Sequence, residues 1–145
     1  MKSKISITAA SDIAALVSRR AFMNNVDPDD LACRKSQEIN DWYHADWFFR
    51  DNGNLFFIPP AFEFRNGHLL GINGRHRALL LSRHAEIFPM LLVLPMTWPQ
   101  AKLQEIIYTL LADGQVVELP DLPMNGTINE IGEQGAEGDA VNRAP

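Results

Sequence analysis

His68-Leu69-Leu70-Gly71-Ile72-Asn73-Gly74-Arg75-His76-Arg77-Ala78-Leu79-Leu80-Leu81-Ser82-Arg83-His84 is the stretch on which the reading of this chain turns. Its first five residues have the composition of a strand. Asn73-Gly74 breaks that strand, and the alanine and leucines that follow favour a helix over 75–85. Phe88-Pro89-Met90-Leu91-Leu92-Val93-Leu94 then reads as a buried strand bounded by Pro95. The order is strand, tight turn, helix, return strand.

Working upstream, Phe62-Glu63-Phe64 alternates and Arg65-Asn66-Gly67 is a turn, so 62–72 predicts a hairpin. A second hairpin is predicted from Trp47-Phe48-Phe49 and Leu55-Phe56-Phe57-Ile58 about Asn52-Gly53, with the aromatics as core rather than as stacking platforms. Lys4-Ile5-Ser6-Ile7-Thr8 suggests a short strand. Ser11 is placed to cap a helix over 12–22 carrying Ile13, Leu16, Val17 and Phe22. Asp27-Pro28-Asp29-Asp30 starts another helix, with proline and acids in its first turn, running to about 45. Downstream, Thr97 and Gln100 form a capping pattern. Leu103, Ile106, Ile107, Leu110 and Leu111 then fall on one face of a last helix. After Asp113-Gly114 the periodicity stops. The expectation is an α+β domain over 1–112, a mixed sheet with about four helices packed around it, and a mostly disordered acidic tail over 113–145.

A chain of 145 residues is one domain plus a tail, and 46% hydrophobic residues exclude wholesale disorder. The longest apolar run, 87–96, has ten residues, well short of the ~20 needed to span a bilayer, so no membrane insertion is expected. One cysteine, Cys33, permits neither an internal disulfide nor a cysteine-based zinc site. With no apolar leader at the N-terminus, a cytoplasmic location is expected. The net charge of −5 is unevenly spread. Seven of eighteen acids, and a single arginine, lie from Asp113 onward, leaving the body near +1. Within 65–84 stand four arginines, three histidines and no acid, either a basic binding patch or a solvated face.

A helix that begins directly after a strand presents free N–H groups and a partial positive charge, a natural anion receptor. Arg75, His76 and Arg77 add cations at an end where the dipole already disfavours them by roughly 0.3–1 kcal/mol each. Bound phosphate would offset that cost through charge-assisted hydrogen bonds, and arginine matches it bidentately. The alternative is that both arginines pair with internal carboxylates such as Glu63 or Asp46.

The run Gly67–Leu81, with the proline-containing strand after it, resembles the central segment of the ParB/sulfiredoxin superfamily. There a strand enters a Gly-x-x-Arg turn that binds nucleotide phosphates at the head of a helix. Gly74 and Arg77 match both branches, and His76 matches the sulfiredoxin form. That branch carries a cysteine where this chain has Arg75, so sulfinic-acid reduction is not expected. The partition-protein branch carries glutamate there, so neither is its CTP switch. In size the chain is similar to the plasmid fertility-inhibition, Osa-like oncogenic-suppression proteins.

The resemblance implies a nuclease or nucleotide hydrolase, plasmid-encoded and interfering with DNA transfer. It implies a binding turn of Asn73, Gly74, Arg75, His76 and Arg77, with His76, Arg77 and Glu63 as catalytic candidates. A nucleoside triphosphate would be the ligand, and Glu63 would hold Mg²⁺. The other reading is a non-catalytic protein that blocks a partner in a conjugation or secretion system.

Overall fold

The computed structural model describes residues 1–131, which form twelve strands and five α-helices. In chain order these are β1 (Lys2–Ile5), β2 (Ile13–Ser18), α1 (Arg19–Asn25), α2 (Pro28–Ala32), α3 (Arg34–Gln37) and β3 (Tyr43–His44). Then come β4 (Phe48–Asp51), β5 (Asn54–Phe57), β6 (Ala61–Arg65), β7 (His68–Asn73), α4 (Arg75–His84) and β8 (Ile87–Leu92). The remainder are α5 (Gln100–Ile106), β9 (Ile107–Leu111), β10 (Val116–Glu118), β11 (Met124–Asn125) and β12 (Asn129–Ile131). One five-stranded sheet has the order β10-β1-β5-β4-β12, the other β7-β6-β8-β2-β9, and β3 pairs with β11. Both large sheets mix parallel and antiparallel neighbours. The fold class is α+β, as expected, but the strands form two large mixed sheets and a small one, with five helices, in place of the single sheet with about four helices anticipated.

Both hairpins form. Asn52-Gly53 and Asn66-Gly67 all take positive φ, between 52° and 82°, the geometry of two-residue turns that suit twisted strands. The aromatics divide: some are core, while Trp47, Phe49 and Phe56 are half-buried, with Phe49 and Phe56 stacked on each other at 4.9 Å. Phe48, Phe57 and Phe62 are buried, and Phe22 of α1 meets Phe62 and Phe88 edge-to-face, each at 5.5 Å between centroids.

Four expectations need correction. The predicted helix over 12–22 is β2 followed by α1, and Ser18 rather than Ser11 is the cap, accepting from the Ala21 N–H at 3.0 Å. β2 lies between β8 and β9 with Ala14, Ala15 and Val17 all buried. A strand covered on both faces shows no alternation, and its apolar run is indistinguishable from a helical one. The predicted last helix likewise splits into α5 and β9. Pro99 occupies its N-cap, while Thr97 donates to the Leu94 carbonyl.

The helix expected from Asp27 to about 45 starts where expected, with Asp27 accepting from Asp29 N–H at 2.8 Å. It then breaks at Cys33, whose extended backbone ends α2 and opens α3. Finally, residues 113–131 are not a disordered tail. β10 pairs with β1, β12 with β4 and β11 with β3, and Val117 and Leu119 are buried. The rest of the expected tail, 132–145, lies outside the described residues. No helix among the described residues is long and apolar enough to cross a membrane.

Candidate functional site at the head of helix α4

β7 delivers the chain to Gly74, which takes the left-handed conformation (φ 99°) and is the N-cap of α4. The first bond of the helix runs from Ala78 N–H to the Gly74 carbonyl at 3.0 Å. The N–H groups of Arg75, His76 and Arg77 therefore precede the helical ladder, and Gly74 brings no side chain to cap them. A Cβ at Gly74 would stand 2.7 Å from Nε and Nη2 of Arg77. The glycine is needed both for its dihedrals and for the guanidinium lying against it.

The arginines face inward. Arg77 is only 6% exposed. It donates from Nη1 to the Ile58 carbonyl at 2.6 Å and from Nη2 to Asn73 Oδ1 at 3.0 Å, and its guanidinium lies 5.7 Å from the centre of the Trp47 ring. Burial pulls its pKa down, and the field of Asp46 opposes that pull. Arg75 is ion-paired with Asp30 at 3.0 Å. The Nε atoms of both arginines are buried without a hydrogen-bond partner. The two-arginine clamp expected around a phosphate is thus not assembled. Internal pairing holds instead, with Asp30 and a backbone carbonyl in place of the anticipated Glu63 and Asp46. Arg77 and Asn73 brace the turn from beneath.

Much of the anticipated basic patch is neutralised in the same way. Arg65 pairs with Glu63 at 2.7 Å, and Arg83 and His84 both reach Asp41. Glu63 is also on the wrong side of its sheet. Phe62 shares a face with its register partner Gly71, whose Cβ position points at Arg75, and strand alternation turns Glu63 to the opposite face. Glu63 does not join the turn, and the residues present do not fit the Mg²⁺ site assigned to it. No group of three or more metal-ligating side chains occurs among the described residues.

His76 is placed differently. It borders a cleft of about 240 Å³ with His44, Trp42, Trp47, Asn40 and Glu38. His44 and Trp47 meet edge-to-face, 4.8 Å between ring centres. Burial, followed by the charges of Arg75, Lys35 and His44, lowers the His76 pKa below its ordinary value of 6.5. A neutral imidazole thus faces the cleft at neutral pH, beside a second imidazole and two indoles. Sequence reasoning missed His44 and both tryptophans. The signal was the local density of Trp42-Tyr43-His44 and Trp47, obscured by assigning 27–45 to a helix. Cys33 lies beside Ser36 at 3.0 Å. The Ser36 hydrogen bonds and the charge of Arg75 lower its thiol pKa.

Comparison of the chain with protein-family models, with curated proteins and with solved structures finds no match.

Proposed function

We propose that this protein binds and hydrolyses phosphate esters of nucleotides or nucleic acid, in the manner of a ParB/sulfiredoxin-type domain, at the cleft beside the head of α4. The observation that carries this reading is that His76, on the uncapped first turn, shares one cleft with His44, Trp42 and Trp47. The first-turn amides receive the phosphate oxygens. Neutral His76 accepts a proton from water as the water oxygen bonds to phosphorus. The P–O bond to the leaving group breaks, and His44 donates the proton that the departing oxygen takes up. Arg77 acts as a positioning residue, holding Gly74 and Asn73 in place. In this reading the protein is a plasmid-encoded nuclease or nucleotide hydrolase that interferes with DNA transfer.

The test is titration with a nucleoside triphosphate, followed by tryptophan fluorescence, alongside nucleotide-hydrolysis and plasmid-nicking assays with and without Mg²⁺. His76→Ala should lower turnover at least 100-fold and His44→Ala at least tenfold. Wild-type protein with neither binding nor turnover overturns the proposal.

A second reading, a protein-binding role against a conjugation or secretion partner, is favoured by β9. It is an edge strand with Tyr108 and Leu110 more than 60% exposed and no charged residue along it. Charged substitution at Leu110 would then abolish partner capture and spare nucleotide binding.

A further inference from the structure

Trp42 belongs to two hollows at once. Besides the His76 cleft, it lines a neighbouring hollow of about 220 Å³ with Pro123, Met124 and Asn125. The second hollow is held on firm supports. β3 and β11 run parallel with Tyr43 opposite Met124 and His44 opposite Asn125, and Tyr43 N–H donates to the Pro123 carbonyl at 2.9 Å. The buried Tyr43 hydroxyl donates to the Pro120 carbonyl at 2.6 Å. Gly126 lets the segment close on Ala45, whose Cβ would be 3.2 Å from a Cβ there. Between the two hollows stands an indole that is 37% exposed. A large flat ring exposed at the bend leading directly into β3, with a polar cleft on one flank and Pro123, Met124 and an exposed amide on the other, has the features of a stacking platform.

We propose that the paired hollows bind single-stranded nucleic acid. One nucleotide sits in the His76 cleft, and the next lies across Trp42 against Met124 and Asn125. The proposal rests on the reading of the His76 cleft as a phosphate-ester site and extends it to a polymer. The Asn125 amide offers a donor and an acceptor to a base edge. A duplex keeps its bases paired and stacked inward and cannot lay one on Trp42 without flipping it out. Because Arg75, Arg65 and Arg83 are already paired with carboxylates, few phosphates are neutralised and stacking carries most of the affinity. Binding should therefore weaken only shallowly with salt, by about one counterion's worth.

The experiment is a fluorescence titration of the full chain with thymidine monophosphate, the dinucleotide pTpT and hexathymidylate. Uridylate counterparts and a blunt duplex complete the series. Affinity should rise about tenfold from the mononucleotide to the dinucleotide and change little beyond it. Trp42→Ala should erase that increment, Trp42→Phe should retain most of it, and Asn125→Ala should reduce it. Equal affinity for mono- and dinucleotide, or an increment untouched by Trp42→Ala, overturns the extension while leaving the His76 cleft as a mononucleotide site. Duplex binding as tight as single-strand binding also overturns it. No mononucleotide binding, with His76→Ala indistinguishable from wild type, overturns both the extension and the reading beneath it.

Discussion

At Gly74 the chain requires a positive φ and an empty Cβ position together, and Arg77 fills the space a side chain would take. Gly74→Ala should lose about 1–3 kcal/mol of unfolding free energy in urea titrations, from backbone strain and a displaced guanidinium. Arg77→Ala leaves the Ile58 carbonyl without its donor and should cost a similar ~1–3 kcal/mol. Arg77→Lys should recover little, because a point charge cannot serve two acceptors held by a planar fork. An Arg77→Ala protein as stable as wild type would contradict its assignment as a brace.

His76 carries a pH dependence whose sign follows from its depressed pKa. In the folded protein the ring titrates below 6.5, whereas in the unfolded chain it titrates near that value. Between the two, the unfolded state holds more protons, so stability rises with pH across that window and falls on acidification through it. Arg75, Lys35 and His44 act in the same direction as burial, and Glu38 lines the same cleft. Urea midpoints at pH 5 and pH 7.5 should differ more for wild type than for His76→Gln.

Among the elements, α1 continues directly from β2 and packs on β6 and β8 through Phe22, wedged between Phe62 and Phe88. Phe22→Ala should cost about 3–5 kcal/mol, read as a lowered midpoint in chemical denaturation. The hairpins and the strand-to-helix passage into α4 were legible because asparagine and glycine at positive φ are local signals. β2 and β9 were not. Ile13, Leu16 and Val17, and Leu103 through Leu111, satisfy helical spacing, and only pairing across the sheet makes strands of 13–18 and 107–111. The site divides along the same line. Gly74 and His76 could be read from sequence. The partners that turn Arg75 and Arg77 inward, Asp30 and the Ile58 carbonyl, lie 45 and 19 residues away and leave no local trace. His44 reaches the cleft only because 27–45 is not one helix.

For the whole molecule, the segment after β10 is part of the body. Leu119 is buried, Tyr43 is anchored to Pro120, and β12 covers the outer edge of β4. A chain ending at Glu118 should lose several kcal/mol and gain a tendency to aggregate through the bared β4 edge, measured by thermal melts and light scattering. If such a chain melts like the full protein, the docking of 119–131 contributes nothing to stability.

The pairing of β1 with β10, Lys2 opposite Glu118 and Lys4 opposite Val116, also constrains how the protein is made. During synthesis, β1 leaves the ribosome's exit more than a hundred residues before β10 and must wait for it before this side of its sheet has a finished border. Until then β1 can lean only on β5, and the nascent chain carries an open edge for most of its translation. The border of this sheet is thus completed only after every residue of the cleft beside α4 has been made.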